Sequence, residues 1–541
     1  MKKIMCALPG VFVVFAANAT VWPVVNTVAE FTNTVAKASN GDRIVLAAGK
    51  TFDFSTLSEY AEGTSWGTMG APSGDANGKS CVWFNKWLEI HGENDSMWNE
   101  KTSAQETIVD GGNAARIFYS YAGNGRKTRY ENLTFARGVA DGGKKGGAIL
   151  AASTSNLEGK IMNCVFRNCI ASDGGGVYNY PVENSFFTNC TATASGGAYA
   201  AENTSQTAKG CRFVDNRAKG QDFAHGTPIT AGGGAMFKGR AVGCRFMYNV
   251  CTNFGGACAL TVAETCSFAE NRSTNNRGGA MVNGSASDCA FTNNYVVQSG
   301  ARGGACVGTS CVRCEFVGMG DVSGGSFLNC EFSGVTSNGG SQSWVFDAVR
   351  NKGVSVAATN CLVHGCSVRF LVNSEGQNTS FVNCTFADNT LADDGYSARC
   401  TTGAASGTSY NSTAEFINCL FAGNAYAAGN KADLAVSIAD GCSMAFVNCA
   451  YEDGMSGVTG ATIVSLRQGR ARFAGLDPRF VAKAPYYTPC HSSVARNAGL
   501  NMDWMTVVVD LAGNGRINGD TVDVGCYESY LPAMGFVLSV R

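Results

Sequence analysis

Paired acidic residues are the first features of this chain that could do chemistry. Asp393 and Asp394 are adjacent in the sequence. Hydrolysis of a glycosidic bond uses two carboxylates that flank the bond at a defined separation. We therefore take Asp393 and Asp394 as the candidate catalytic residues. The alternative interpretation, that both are ordinary solvated residues of a loop, stays open because no further acid or base follows them in a fixed pattern.

Histidine and cysteine usage argues against a metal centre. The chain has only 4 His among 541 residues, which excludes a histidine-rich site. It has 24 Cys, but they recur as a long linear array of equivalent positions, which is not a tetrahedral cage. We expect no metal and no cofactor, and we expect most thiols to be buried as small apolar groups. The alternative that some cysteines form disulfides stays open. The candidate pairs are Cys490 with Cys526 and members of the group Cys306, Cys311 and Cys314.

A repeat runs from about residue 130 to 450. Its unit is Cys, any residue, then Phe, often with Asn three residues after the Phe, and most neighbouring units lie 21 to 26 residues apart. A second motif, Gly-Gly followed by a small residue, alternates with the first, as at Gly233-Gly234-Ala235. A fixed period in this range indicates a solenoid. The repeat residues that we expect to be structural are Cys164, Cys211, Cys244, Cys266, Cys289, Cys384, Cys419, Phe213, Phe246, Phe268 and Phe291.

Strand signals decide which solenoid this is. The segments are short, β-branched or aromatic, and bounded by Gly, Asn, Ser and Asp, and no helical periodicity recurs. The sequence therefore predicts an all-β fold, a parallel β-helix with three short strands and three turns per coil. The Cys and the Phe share one face of a strand by alternation, so both should point inward as ladders. The Asn suits a turn in which amides bond from coil to coil, and the Gly pair supplies a positive φ or leaves no room for a Cβ atom.

The two ends differ from the repeats. Lys2 and Lys3 precede a short apolar run, and Ala17-Asn18-Ala19 is a small-residue cleavage site, so residues 1–19 are a predicted signal peptide. Residues 20–130 should form an N-terminal cap with a short helix and the first coils. Residues 131–476 are the β-helix repeats, and residues 477–541 form a C-terminal capping module.

These motifs resemble known families. The run Gly146 to Ile149, alternating with Phe-x-x-Asn as in Phe213 and Asn216, resembles the polymorphic outer membrane protein repeat, which implies the right-handed β-helix of a surface-exposed adhesin. Residues 27–54 resemble the opening of pectin-lyase-like β-helices, where a helix plugs the first coil. Residues 477–528 resemble the choice-of-anchor Q segment, which implies a secreted bacterial protein with variable surface attachment.

Charge and composition reduce the number of functional classes that this chain can belong to. The chain has 41 Lys and Arg and 42 Asp and Glu residues, so its net charge is −1. This balance lacks the excess of basic residues that is typical of nucleic-acid binding. After removal of the signal peptide no segment is long and apolar enough to span a membrane. We expect an exported, extracellular or surface-located monomer that is noncatalytic and presents a long surface for adhesion, binding glycans or proteins of host or neighbouring cells through its turns and loops. A polysaccharide lyase or glycoside hydrolase is the alternative, and a structural surface component is a third hypothesis.

Overall fold

Short parallel strands that stack coil on coil dominate the described part of the chain. Apart from Ala19, the predicted signal peptide lies outside the described residues, as do residues 477–486 of the C-terminal module. The computed structural model describes residues 19–56, 80–84, 86–94, 105–120, 127–140, 142–151, 158–220, 229–275, 277–298, 302–336, 343–349, 355–405, 408–471, 487–490 and 492–530.

One α-helix, α1 (Val28–Lys37), is found among the described residues, and it closes the first coil. Thr27 caps it, since its side chain accepts a hydrogen bond from the Glu30 amide. Phe31, on its buried face, lies in ring contact with Phe118, with centroids 6.0 Å apart. The helix thus covers apolar side chains that an open end of the solenoid would expose, as the sequence predicts.

Three strand ladders run the length of the chain, and ladder 1 follows the Gly-Gly turns. Its strands pair in parallel with the equivalent strand one coil further on, for example Tyr199 with Met236. Its strands are Ser80–Phe84, Arg116–Ser120, Ile149–Ala151, Val177–Tyr178, Tyr199–Ala200, Met236–Phe237, Cys258–Ala259, Met281–Val282, Cys306–Val312, Val322–Leu328, Trp344–Val349, Ser367–Glu375, Thr390–Thr401, Leu434–Ile438 and Met455–Ser456.

Ladder 2 comes next in each coil. The strands Cys306–Val312 and Val322–Leu328 are long enough to belong to ladders 1 and 2 together, because these two coils lack the turn between them. The other strands of ladder 2 are Arg43–Leu46, Glu89–Gly92, Arg129–Glu131, Lys160–Met162, Val182–Glu183, Thr207–Lys209, Arg240–Val242, Val262–Glu264, Ser285–Ser287, Val356–Thr359, Asn378–Val382, Thr413–Ile417, Ser443–Val447 and Thr462–Ile463.

Ladder 3 carries the phenylalanine of the repeat. The candidate site lies on this flank, and the register of these strands decides which side chains line it. Its strands are Thr51–Asp53, Ile108–Asp110, Thr134–Ala136, Val165–Arg167, Phe186–Thr188, Arg212–Val214, Arg245–Met247, Ser267–Ala269, Ala290–Thr292, Glu315–Met319, Glu331–Thr336, Leu362–His364, Thr385–Ala387, Leu420–Ala422, Cys449–Tyr451 and Leu466–Gln468.

A shorter ladder 4 completes the middle coils before the chain returns to the next Gly-Gly turn. An antiparallel hairpin, Gly403–Ala405 with Thr408–Tyr410, and one further strand, Ala425–Tyr426, which pairs with Thr390–Thr401, add to the late coils. The six strands of ladder 4 are Ile170–Asp173, Thr191–Ser195, Arg217–Ala218, Val250–Cys251, Arg272–Ser273 and Tyr295–Val296. The predicted right-handed parallel β-helix is confirmed.

Aromatic rings fill the interior along ladder 3. Phe213, Phe246, Phe268 and Phe291 are at most 1% exposed, and successive rings are parallel with centroids 4.8 Å apart. This distance is the spacing of hydrogen-bonded strands, so in-register rings stack without adjustment. Each ring therefore touches its equivalent in the neighbouring coil.

The repeat cysteines form a second interior column, two residues before the rings in each coil. Each of the seven expected structural cysteines is a free thiol and at most 3% exposed. The thiols donate to main-chain carbonyls, as Cys244 Sγ does to Ala208 O over 3.3 Å. Burial raises the pKa of Cys164 to about 12, because the thiolate would lose its hydration.

The Gly-Gly and Asn positions hold the turns. Gly233 has a φ of 74°, and a Cβ atom on Gly234 would lie 2.0 Å from the Gly256 carbonyl oxygen, so neither position admits a side chain. Asn249 is fully buried and its side-chain amide nitrogen donates to Asn271 Oδ1 over 2.9 Å. The same bond recurs between neighbouring coils and forms an amide ladder beside the rings.

The C-terminal segment lies alongside the coils. Its described residues bond to a turn and to a ladder 3 strand of the β-helix: Asn418 Nδ2 donates to Leu500 O over 2.9 Å, and the Cys526 amide donates to Thr385 Oγ1 over 3.0 Å. Its Ala495, Ala498 and Val524 cover apolar residues that point outward from ladder 3, among them Leu420 and Ala450. We call this segment the buttress, because its described residues lie on the flank of the later coils and cover these outward apolar residues.

Candidate functional site

The two acidic residues singled out from the sequence do not face a common point. Asp394 Oδ2 accepts from Arg369 Nη2 over 2.5 Å, toward the preceding coil. Asp393 Oδ1 accepts from the Ala428 amide over 2.9 Å, toward the following coil. The carboxylates therefore reach in opposite directions along the axis, and each bonds to a different neighbouring coil.

Cys490 and Cys526 do not form the disulfide that the sequence suggested. Both thiols are free. Cys526 is fully buried in a cluster with Leu362 and Tyr527, while Cys490 is half-buried with its Sγ 3.7 Å from Ser492 Oγ. Cys306, Cys311 and Cys314 are likewise free and buried, because their side chains belong to the interior of successive strands.

A dense charged cluster on ladder 1 is closed to ligands. Arg302 donates to Asp347 over 2.7 Å and to Glu375 over 3.0 Å, and its guanidinium lies 4.5 Å from the centre of the Trp344 ring. Asp347 is fully buried, and burial raises its pKa to about 6 despite the arginine. Since the central carboxylate has no exposed surface, this cluster joins two long strands, Trp344–Val349 and Ser367–Glu375, and does not present a site.

An open groove runs along the flank of the β-helix instead. It has a volume of about 910 Å³ and lies between ladder 3 and the C-terminal buttress. We call it the flank groove. Its floor is Arg245, Ser267, Ala290, Glu315 and Glu331, its rim is Gly243, Thr265, Asp288, Arg313 and Asn329, and its wall is Leu511, Ala512 and Tyr527.

The floor is a single column of in-register residues. Arg245 pairs with Ser267, Ser267 with Ala290, Ala290 with Glu315, and Glu315 with Glu331. Each is the middle residue of a Cys-x-Phe unit, so it points outward while its two neighbours point into the core. The groove consequently runs parallel to the axis, with one floor residue about every 4.8 Å.

The rim is built by left-handed turns that separate ladder 2 from ladder 3. Asp288 and Arg313 have φ values of 53° and 51°, and their side chains meet in a two-bond ion pair of 2.6 and 2.7 Å. Arg313 lowers the pKa of Asp288, since it donates to the carboxylate. This pair fixes one side of the groove.

A chain of contacts closes the far end of the floor. Glu331 Oε1 lies 2.9 Å from His364 Nε2, and the His364 ring packs on Tyr487 of the buttress with centroids 5.3 Å apart. Tyr487 in turn donates to Asp388 Oδ2 over 3.0 Å. The last floor carboxylate is thereby held by both the β-helix and the buttress.

The flank groove offers hydrogen-bonding groups of both charges and small floor residues between them. In the described part of the chain, no group of three or more His, Cys, Asp or Glu side chains is placed to hold a metal ion. Likewise, within the described ranges, no helix is long and apolar enough to cross a membrane. Sequence reasoning missed Arg245, Glu315 and Glu331, although the variable position of Cys-x-Phe marks all three.

Comparison with known proteins adds support for the fold. The Beta_helix family, described as a right handed beta helix region, matches residues 120–296. No curated protein matches the chain. A mannuronic acid specific family 6 polysaccharide lyase from human gut microbiota aligns at 10% identity over 83% of this chain and 91% of that chain, with a TM-score of 0.32.

Two further solved structures are similarly remote. A family 6 polysaccharide lyase from Pseudopedobacter saltans aligns at 11% identity over 83% of this chain and 96% of that chain, with a TM-score of 0.32. The pectate lyase Pel9A aligns at 12% identity over 92% of this chain and 90% of that chain, with a TM-score of 0.21. At these TM-scores the structural similarity carries no argument about this chain.

Proposed function

We propose that this protein is an exported, noncatalytic β-helix protein that binds glycans in the flank groove. The observation that carries the proposal is the open groove of about 910 Å³ with an exposed, polar, in-register floor. Ligand sites of this size are common among proteins that hold small or extended ligands. A groove parallel to the axis suits a linear chain.

The lining supports a sugar ligand. Sugar hydroxyls both donate and accept hydrogen bonds, and the flank groove offers donors in Arg245 and Thr265 and acceptors in Glu315 and Glu331. The Ser267 and Ala290 side chains are short, so a ring can lie against the floor between the charged residues. The net charge of −1 gives no strong field for electrostatic capture.

The noncatalytic part of the proposal rests on how the carboxylates sit. A glycosidase keeps its general acid protonated by enclosing it in an apolar pocket. Glu315 is exposed, and the side chain of Glu331 is 41% exposed and bonded to His364. Neither carboxylate is placed in such a pocket.

One observation favours a glycoside hydrolase as the second candidate. Glu315 and Glu331 are in-register neighbours on adjacent parallel strands. Such strands lie about 4.8 Å apart, close to the roughly 5 to 5.5 Å between the carboxyl groups of retaining glycosidases. Under this hypothesis the flank groove would hold the scissile bond over this pair, and Glu331→Gln would abolish turnover.

Binding and turnover are measured together on the protein from residue 20 onward. Plant, algal and host glycans are titrated calorimetrically, and the same mixtures are assayed for new reducing or unsaturated ends. Ser267→Trp should fill the floor and abolish binding, whereas Ser285→Trp, on the outward face of ladder 2, should leave it unchanged. Binding without new ends supports the proposal, and new ends lost in Glu331→Gln would replace it with the hydrolase.

Export is tested separately. The proposal that the protein leaves the cytoplasm rests on the signal-like residues 1–19, and we propose in addition that it acts as a monomer outside the cell. Fractionation of cells that express the whole chain should place a product beginning near Thr20 outside the cytoplasm, and its mass in solution should be that of one chain. An uncleaved cytoplasmic product would contradict export.

A further inference from the structure

We propose that the flank groove selects a zwitterionic glycan, one that carries both carboxylates and free amines. The anionic group would bind at the Arg245 end of the floor and the cationic group at the end formed by Glu315 and Glu331. This inference rests on the proposed glycan binding and specifies the ligand chemistry of the same groove.

Charge is segregated along the floor. Arg245 is followed in register by Ser267 and Ala290, which are small and uncharged, and then by the two glutamates. Three strand steps separate Arg245 from Glu315, a distance of about 14 Å along the axis. A linear ligand lying on this floor would therefore meet a cation at one end, a neutral middle, and two carboxylates at the other end.

The floor charges have little compensation within the protein. Within the described residues, neither Arg245 nor Glu315 forms an ion pair. Glu331 contacts His364, and the nearby Asp288 and Arg313 neutralise each other. Like charges directly opposite on paired strands are destabilising, so the fold retains a repulsion between Glu315 and Glu331 that a ligand cation would relieve.

Ordinary recognition chemistry fits each end. A guanidinium binds a carboxylate through two parallel hydrogen bonds, which suits Arg245 and a uronic acid. An ammonium group is a compact cation with three donors, which suits two neighbouring carboxylates. Because Arg245 and Glu315 are exposed side chains on a rigid stack of strands, their separation is fixed by the fold and acts as a ruler for the ligand.

Three probes of matched length test the inference. They are de-N-acetylated hyaluronan oligosaccharides, which carry carboxylates and amines, the N-acetylated parent, which carries carboxylates only, and glucosamine oligomers, which carry amines only. Calorimetric titration with EDTA present should show the first probe binding at least tenfold more tightly than either of the others. Glu315→Gln combined with Glu331→Gln should lower its affinity tenfold or more and leave the carboxylate-only probe unaffected.

Matched controls separate a local effect from a general change in charge. Arg245→Gln should lower affinity for both carboxylate-bearing probes. Arg217→Gln and Glu415→Gln, which alter exposed residues outside the flank groove, should change nothing. All five substituted side chains are at the surface, so circular dichroism should show an intact fold. The single variant Glu315→Lys provides a second test of the acidic end.

The outcomes of the inference and of the proposed function are distinct. Equal affinity for the three probes, or affinity unchanged by the glutamate variants, would overturn the zwitterion inference. The proposed function would still stand in that case if Ser267→Trp abolished the binding of neutral glycans. Binding of the zwitterionic probe only when EDTA is omitted would show a bridging divalent cation and would also overturn it. Absence of binding to these probes and to every glycan of the wider panel would remove the proposed function itself.

Discussion

Two adjacent phenylalanines provide a sharp test of the inward stack. Phe186 and Phe187 are consecutive in the strand Phe186–Thr188. Phe187 is fully buried and stacks between Phe166 and Phe213, with centroid distances of 4.6 and 4.8 Å. Phe186 points outward, and the central guanidinium carbon of Arg212 lies 5.2 Å from the centre of the Phe186 ring. The same substitution at neighbouring positions should therefore have very different costs.

The expected magnitudes follow from these surroundings. Phe187→Ala should cost about 3 to 5 kcal/mol, the range for a large core aromatic, because the stack on both sides prevents the cavity from closing. Phe186→Ala should cost about 1 kcal/mol, since it removes partly exposed surface and one surface cation–π contact. The difference between the two variants should be about 2 to 4 kcal/mol.

Guanidinium unfolding followed by circular dichroism measures the global change, and hydrogen exchange measures its location. A solenoid is stabilised by contacts between nearest coils, so protection in Phe187→Ala should fall first in the strands that contain Phe166 and Phe213. Equal costs for the two variants, or a costlier Phe186→Ala, would refute the inward orientation of the repeat phenylalanine.

Three further predictions concern polar groups. Asn249→Ala should cost about 1 to 3 kcal/mol in a denaturant titration, because the buried amide and backbone nitrogens of Asn216 lose their acceptor. Burial raises the pKa of Glu528 from 4.5 to about 8, so its neutral form is favoured by folding; the melting temperature should fall as the pH rises from 4.5 to about 8, and Glu528→Gln should flatten that dependence. Iodoacetamide should modify Cys442 and Cys490 in the native protein in preference to the buried thiols, and all cysteines after denaturation; rapid native labelling of the repeat thiols would contradict their burial.

The inner architecture could be predicted because it depends on local alternation. Cys and Phe two positions apart must share a face, and a period of one coil places each above its equivalent, as Cys244 and Phe246 show. The Gly-Gly turn was predictable for the same reason, since a close backbone approach excludes a side chain whatever the distant sequence is. These features need no information beyond one repeat and the next.

The flank groove could not be predicted in this way. Its wall comes from Leu511 and Tyr527, about two hundred residues after the floor, and only the fold shows that the chain returns along this flank. The middle residue of each Cys-x-Phe unit nevertheless indicates whether that part of ladder 3 is covered or open. It is apolar at Leu362 and Leu420, where the buttress covers ladder 3, and charged at Arg245 and Glu315, where the flank stays open.

Adjacency in sequence does not bring the two candidate carboxylates to a common point in space. Asp393 and Asp394 are neighbours in the chain but bond to the following and the preceding coil. Glu315 and Glu331 are 16 residues apart and come into register because the coil between them is short. In a solenoid, spacing of one coil predicts proximity of side chains better than immediate succession does.

A hydrogen-exchange footprint of the bound glycan tests the central claim most directly. The oligosaccharide that binds most tightly in the titrations is added at saturation, and amide protection is compared with the free protein. We predict new protection confined to the flank groove, in peptides that contain Arg245, Ser267, Glu315 and Leu511. Protection elsewhere, such as on ladder 1 around Trp344, with the groove peptides unchanged, would contradict the assignment of glycan binding to this groove.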